Sequence, residues 1–338
     1  AVTGVQATVS YGNSGAAQNY LNASNTDNYD VLTIQDKSFI TQKSKTVSAL
    51  STPTFNANRQ GTVKLEGASF SNTYTVDITP DGGTKQTATI TNSDTAGYGT
   101  TLNDLKTAID NLNIANLTVT KLQDSLYLTN SSTSFELEAT GGPEDNRAIS
   151  FQDEVSDIGD LPGRAVHNHL VKVSPLDPET SVIGESYYLK FDANNNNKGE
   201  GFWRESVAPN VSTGFDDASM PHELLNTATN TFVFQRGVYD NRIVGDDDTN
   251  PQPSFVGKKI KSTFFHNNRL GFLSDENVIM SQSGQFFNFY HTSARVVTDA
   301  DPIDLSCSST KPVALHSILP TTQGLVLFSA NQQFMMAS

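Results

Sequence analysis

Cysteine is almost missing from this chain: Cys307 stands alone among 338 residues. A single thiol forms no intrachain disulfide and builds no thiolate metal cluster, so stability has to come from burial and assembly. Positive charge is scarce as well, with 22 Lys and Arg against 36 Asp and Glu and a formal net charge of −14. Counterion release onto cationic side chains therefore cannot drive duplex binding over the whole chain; a duplex is repelled. Long apolar runs are absent too, since nothing approaches the ~18–20 consecutive apolar residues that cross a bilayer. Ala1-Val2-Thr3 lacks an initiator Met and the basic and apolar regions of a signal peptide. The chain also stops directly after two strands expected at 324–329 and 333–336, and we expect a fragment of a longer polypeptide.

What is present is polar and β-prone. Only 36% of residues are apolar, and Ser, Thr and Asn together number roughly 100, a composition that favours an all-β or β-rich surface protein. The length allows two or three domains at ~100–200 residues each. Residues 1–30 read as an irregular or edge segment, Asp30–Ile34 and Phe39–Thr41 as a hairpin, and residues 49–60 as a linker. Alternating strands follow at 62–66, 74–78 and 87–90. Leu102, Leu105, Ala108, Ile109 and Leu112 recur at helical spacing, predicting a helix over Thr101–Leu112 with Thr101 and Asp104 as a capping box. With a hairpin at 117–119 and 125–128 and a strand at 135–138, this region reads as an α+β unit of ββαββ type.

The acidic stretch 144–160, with Glu144, Asp145, Asp153, Glu154, Asp157 and Asp160, reads as a solvated loop. Strands are expected at 169–173 and 186–191, the second turning through 192–201 into Phe202-Trp203-Arg204-Glu205. Leu270–Ser274 followed by Val278–Met280 resembles Leu325–Ser329 followed by Phe334–Met335, about 55 residues on, as successive propeller blades do. A sandwich with similar hairpins is the competing architecture. The fold class is thus mainly β with one α+β domain. The expected segments are an N-terminal β segment at 1–60, the α+β domain at 61–145, a β-rich platform at 146–254 and the start of a propeller at 255–338.

Catalytic signatures are few. There is no nucleophile elbow, and Phe255–Lys259 lacks the first glycine and the hydroxyl of a phosphate loop. His167 and His169 share a strand face but have no placed third ligand, so they read as ordinary surface histidines. Asp192–Asn196 spaces oxygens as a calcium loop does, yet Asn197 stands where glycine is needed and Trp203 where a bidentate Glu belongs; a hairpin loop is preferred. Asp246-Asp247-Asp248 reads as a charged turn before Pro251 and Pro253. No cofactor and no metal is assigned. A glycosidase needs two carboxylates about 5–10 Å apart, and a chain this acidic always offers candidates.

Three stretches carry a family resemblance: Phe202–Ser206 with Ser219–Leu224; Gly245–Gly257; and Phe264–Ser274 running through Phe286–Phe289 to Asp301–Asp304. Together they resemble the tail tubular protein B, or nozzle, proteins of short-tailed bacteriophages (podoviruses). The motif residues are Trp203, Glu205, Met220, Pro221, Asp246, Asn250, Pro251, Phe255, Arg269, Leu270, Ser274, Asn288, Asp301 and Pro302.

The resemblance implies a non-enzymatic virion tail subunit. It further implies a homohexameric ring below a tail adaptor ring, carrying tail fibres and passing DNA through its lumen without sequence-specific binding. No catalytic residue is carried over. Arg269 is expected either to pair with a buried carboxylate such as Asp275 or Asp301 or to open a strand at the surface. Trp203 is a core anchor or an intersubunit hot spot, the core being preferred. The alternative to this reading is a virion-associated glycan or peptidoglycan hydrolase, and a carbohydrate-binding β module ranks last.

Overall fold

The computed structural model describes residues 6–67, 71–92, 97–142, 147–176, 186–309 and 313–337. Ala1-Val2-Thr3, Glu144 and Asp145 lie outside the described residues. The chain forms two compact units, one of residues 54–209 and one that joins 1–53 to 210–338.

In the 54–209 unit, Thr73–Pro80 alternates inward Tyr74, Val76 and Ile78 with outward Thr75 and Asp77, the signature of a sheet with one wet face. It is the centre of a three-stranded sheet between Gln86–Thr91 and Phe135–Thr140. Gln60–Leu65 is central in a second sheet, ordered Ala148–Phe151, Gln60–Leu65, Ser125–Asn130, Leu117–Lys121. The helix buries Leu102, Leu105 and Ile109 into the core shared with Tyr74, Val76, Leu126 and Leu128. The six strands expected around the helix are present, but they divide between two sheets, pairing skips along the chain, and Ala148–Phe151 joins the second sheet.

The helix runs Tyr98–Asp110, starting three residues and ending two residues earlier than expected, and its N-cap is Gly97 without a side-chain cap. Thr101 is not the cap, because its hydroxyl is buried and bonds Asn92 Oδ1 at 3.1 Å and Gly97 O at 3.1 Å. The acidic stretch is likewise more than a solvated loop. It contains the strands Ala148–Phe151 and Glu154–Val155 and a 3-10 turn at Ile158–Asp160, where Asp157 Oδ1 accepts Gly159 N–H at 2.7 Å and Lys64 donates to Gly159 O. A four-stranded sheet, Glu154–Val155, Leu170–Val173, Tyr187–Ala193, Gly201–Ser206, completes the unit with a short pair at 165–166 and 198–199.

The other unit holds a five-stranded sheet ordered Thr8–Tyr11, Thr231–Arg236, His222–Ala228, Lys37–Gln42, Tyr29–Ile34, with the first pair parallel. It also holds a four-stranded meander, Ser262–His266, Arg269–Ser274, Asn277–Met280, Ile303–Ser306, and a three-stranded one, Leu315–Thr321, Gly324–Ser329, Gln333–Ala337. Every residue of Arg269–Ser274 is buried, because Leu270 and Phe272 face one core and Leu273 faces another. Gly271 sits opposite Phe264 in this strand pair, and a Cβ there would meet the Phe264 ring at 2.1 Å. Gly271→Ala is accordingly expected to destabilise by about 1–3 kcal/mol through overpacking, read from denaturant unfolding.

Candidate functional site

All the motif residues except Trp203 and Glu205 lie in the unit of 1–53 and 210–338, which holds two buried arginines. Arg242 is 1% exposed and follows the strand Thr231–Arg236. Its Nη2 donates to Ser212 O at 2.6 Å, and its Nη1 is shared among Asn250 O at 2.9 Å, Asp246 O at 3.2 Å and Asp247 Oδ1 at 2.8 Å. The loop 244–250 is wrapped around that guanidinium. Asp246 holds the loop from inside, its Oδ1 accepting from Thr249 N, Thr249 Oγ1 and Asp248 N at 2.9–3.1 Å. Burial works against ionisation of Asp246, but those donors and the Arg242 charge outweigh it and keep the carboxyl below its ordinary value. The acidic triplet is therefore a turn organised on an internal cation.

Arg269, 6% exposed, makes the second clamp. Nη1 donates to Asp301 O at 2.6 Å, Ser281 O at 2.7 Å and Ala300 O at 3.1 Å, and Nη2 to Asp299 O at 2.6 Å. Neither expected alternative holds as stated: Arg269 opens a strand but is buried, and it takes the backbone carbonyl of Asp301, while Asp275 lies 3.7 Å from Lys258. Burial draws the Arg269 guanidinium below its ordinary pKa, and the Asp301 charge opposes that shift. Carbonyl acceptors suit this place, since they satisfy a planar five-donor fork while fixing loop backbone.

The clamps meet. Asn250 exchanges bonds with the His291 backbone, Nδ2 to His291 O at 3.1 Å and His291 N to Oδ1 at 2.9 Å. His291 Nδ1 then lies 3.5 Å from Asp301 Oδ2, which accepts Thr298 N–H at 2.7 Å. Ser212, Arg242, Asn250 and His291 thus form one hydrogen-bonded chain and Asp301, Arg269 and Ser281 a second, the two meeting where His291 Nδ1 approaches Asp301 without a hydrogen bond. In a chain whose one cysteine makes no disulfide, buried guanidinium groups take over the stapling of loops.

The remaining motif residues of this unit stand outside these two chains. Met220, Phe255 and Leu270 share a core with Phe272 and Phe289, Phe255 meeting Phe215, Phe272 and Phe289 edge-on at 5.3–5.7 Å. Pro221 O accepts the Tyr239 hydroxyl, Ser274 Oγ donates to Lys259 O, and Asn288 Nδ2 donates to Gln282 Oε1 at 2.7 Å. Pro251 and Pro302 flank a groove of about 360 Å3 with Phe289 and Ile303.

Trp203 and Glu205 are in the other unit. Trp203 donates to Pro162 O at 2.9 Å and meets Phe191 edge-on, and Glu205 is half-buried opposite Leu189. Asp192 lies at the end of the strand Tyr187–Ala193, paired with Phe202, and residues 194–197 form the hairpin loop, with Asn195 Oδ1 accepting from Asn197 N and Lys198 N. The histidine pair is a correction: His169 is 2% exposed, not a surface residue, because Tyr127, Phe151 and Trp203 enclose it. Burial pulls its pKa down to about 3. Asn168, in left-handed geometry at φ 67°, keeps His167 and His169 off a common strand.

Arg242, Ser281 and His291 were not singled out in the sequence. Arg242 had one faint signal, acids four and five residues ahead of it. The described residues contain no group of three or more His, Cys, Asp or Glu placed to hold a metal, and no helix long and apolar enough to cross a membrane.

Buried cations bonded to loop carbonyls, apolar cores on both faces of a meander strand and acids engaged in turns are the fittings of an architectural β protein. The chain belongs to the bacteriophage nozzle protein family, whose model matches residues 1–338. It is 28% identical over 339 residues to tail tubular protein gp12 of Escherichia phage T7, an alignment covering 95% of this chain and 41% of that relative. The chain thus spans about two fifths of the relative's length. Family membership places it in the tail of the virion, in a structural role.

Proposed function

We propose that the chain is a wall segment of a tail nozzle, assembled as a homohexameric ring beneath an adaptor ring, carrying tail fibres and conducting the genome during ejection. The observation that carries this reading is family membership joined to a net charge of −14. DNA that must slide cannot be held, and phosphates stay only where Lys or Arg meets them. An acidic wall leaves a duplex without such partners. Six copies bring the charge to about −84, so subunit interfaces have to offset strong self-repulsion.

In this reading the segments 1–60, 61–145 and 146–254 form the ring body, and 255–338 begins a β-propeller. Its support is two successive antiparallel meanders sharing one core through Phe264, Leu273, Leu315 and Leu327. The polypeptide acts as wall and carries out no reaction; the two arginine clamps hold its long loops in fixed shape.

Negative-stain images of the full-length protein are the test. Six-fold rings with a central opening are expected at micromolar concentration, and a uniformly monomeric population would defeat the reading. Release of sugar from capsular or cell-wall substrate by the same preparation would instead favour a hydrolase.

A further inference from the structure

A cavity of about 150 Å3 lies where the 3-10 segment Asn13–Leu21 crosses the ends of strands Lys37–Gln42, His222–Ala228 and Thr231–Arg236. Asn19, Tyr20, Lys45, His222 and Arg236 line it. In so acidic a chain, this lining is unusual in holding Lys45, Arg236 and a histidine with no carboxylate.

The cations have room for a partner. Arg236 is the cross-strand neighbour of His222, and its Nε is buried without a hydrogen-bond partner. Among the described residues neither Arg236 nor Lys45 has a carboxylate within ion-pair distance; Asp217 is near enough for the Arg236 charge to favour its ionisation, but no nearer. His222 has Nδ1 on Met220 O at 2.9 Å and its ring stacked on Tyr20 at 4.0 Å, so the imidazole is fixed in place with Nε2 as its remaining polar atom. Burial lowers the pKa of His222 to about 4, and the charges of Arg236 and Lys45 push the same way. Those two charges therefore reach the same small volume.

We infer that this cavity is a binding site for a small tetrahedral oxyanion of the phosphate class. The cavity is several times larger than the ~10–15 Å3 needed to seat one water, so it has room for a small polyatomic ion. The donors suit it, because a guanidinium and an ammonium together neutralise a dianion and an amide such as Asn19 supplies a neutral bond. The bound ion would add a further link between the N-terminal 3-10 segment and the central strands, beside the bonds from Gln42 N–H to the Tyr20 hydroxyl and from Arg236 N–H to Asn13 Oδ1. The inference is independent of the nozzle reading, since it needs only the chain itself.

The test is a titration of the chain with sodium phosphate at pH 7.5, with ionic strength held constant by sodium chloride, followed by calorimetry and by the phosphorus-31 signal. Saturable one-to-one binding is expected. Lys45→Gln, a half-buried loop position, is expected to weaken it at least tenfold. Arg236→Lys, which keeps the charge but loses the buried Nε–H, is expected to weaken it less. Circular dichroism establishes that each variant is folded.

Phosphate is also expected to raise the melting temperature of the wild-type chain more than that of Lys45→Gln. That difference separates site binding from the general stabilisation by excluded anions, which both chains share. Absence of saturable binding, or binding equally strong in Lys45→Gln, overturns the assignment. So does displacement of phosphate by a duplex oligonucleotide at matched phosphate concentration, because a site of this size admits a free ion and not a duplex backbone.

Discussion

Arg242→Leu is expected to destabilise its own unit by about 3–5 kcal/mol, because a buried guanidinium loses its charge-assisted hydrogen bonds to three loop carbonyls. Leucine fills part of the volume but leaves the Asn250 carbonyl without its donor, while Ser212 O keeps the Gln252 side chain and Asp246 O keeps the Asn250 N–H. A buried acceptor so orphaned costs about 1–3 kcal/mol, offset in part as loop 244–250 opens to water. Arg242→Lys keeps a charge but not the fork, so it is expected to recover less than half of the loss. With a urea slope of about 2–3 kcal/mol per molar, the midpoint should fall by roughly 1–2 M in the leucine variant. The measurement has an internal control. The chain's one tryptophan, Trp203, lies in the unit of residues 54–209, so its fluorescence transition should stay in place while tyrosine and far-ultraviolet signals move. A leucine variant with an unshifted midpoint would mean that the clamp contributes nothing to stability.

The legible and illegible parts of this fold divide along physical lines. Strands such as Thr73–Pro80 and Tyr29–Ile34 announced themselves because one face is wet and the residues alternate. The fully buried Arg269–Ser274 was visible for the opposite reason, a continuous apolar run bounded by polar turns. The helix start was misplaced because Thr101 with Asp104 mimics a capping box, whereas the Thr101 hydroxyl bonds Asn92, a residue placed beside it by tertiary structure. Non-sequential pairing, such as Gln60–Leu65 against Ser125–Asn130, leaves no local mark.

The clamps divide the same way. Asp246, Asn250, Arg269 and Asp301 were recognisable through family resemblance, but nothing local said that they belong to two arginine clamps. Arg269 invited a carboxylate partner because arginines are usually read that way, and the backbone carbonyls it actually binds are invisible in a sequence. Arg242 carried almost no pattern, although it is the largest fully buried side chain of the described residues. His169 was misread because histidine composition alone cannot reveal that three aromatic rings close over it.

That enclosure gives the second large expected effect, acid destabilisation of the unit of residues 54–209. His169 has a folded pKa of about 3, against about 6.5 in an unfolded chain, so the unfolded state binds the extra proton as pH falls. Its contribution to stability is complete above pH 6.5 and declines by about 1.4 kcal/mol per pH unit below it, levelling only near pH 3. Between pH 6.5 and 4.5 the loss is on the order of 2 kcal/mol. Glu154, held below its ordinary value by Ser174 and Lys172 against burial, and Asp77, held down by Lys85 and Thr87 against burial, also lose stability in acid. Both act below their unfolded carboxylate range, so the upper window isolates the histidine. His169→Phe keeps the aromatic packing against Tyr127 and Trp203 and removes the titration. Trp203 fluorescence, read through urea unfolding at half-unit pH steps, should give a sloping midpoint for the wild-type chain and a nearly flat one for the variant. Equal slopes in the two proteins would show that the imidazole reaches water before the unit unfolds, and that the aromatic enclosure opens at little cost.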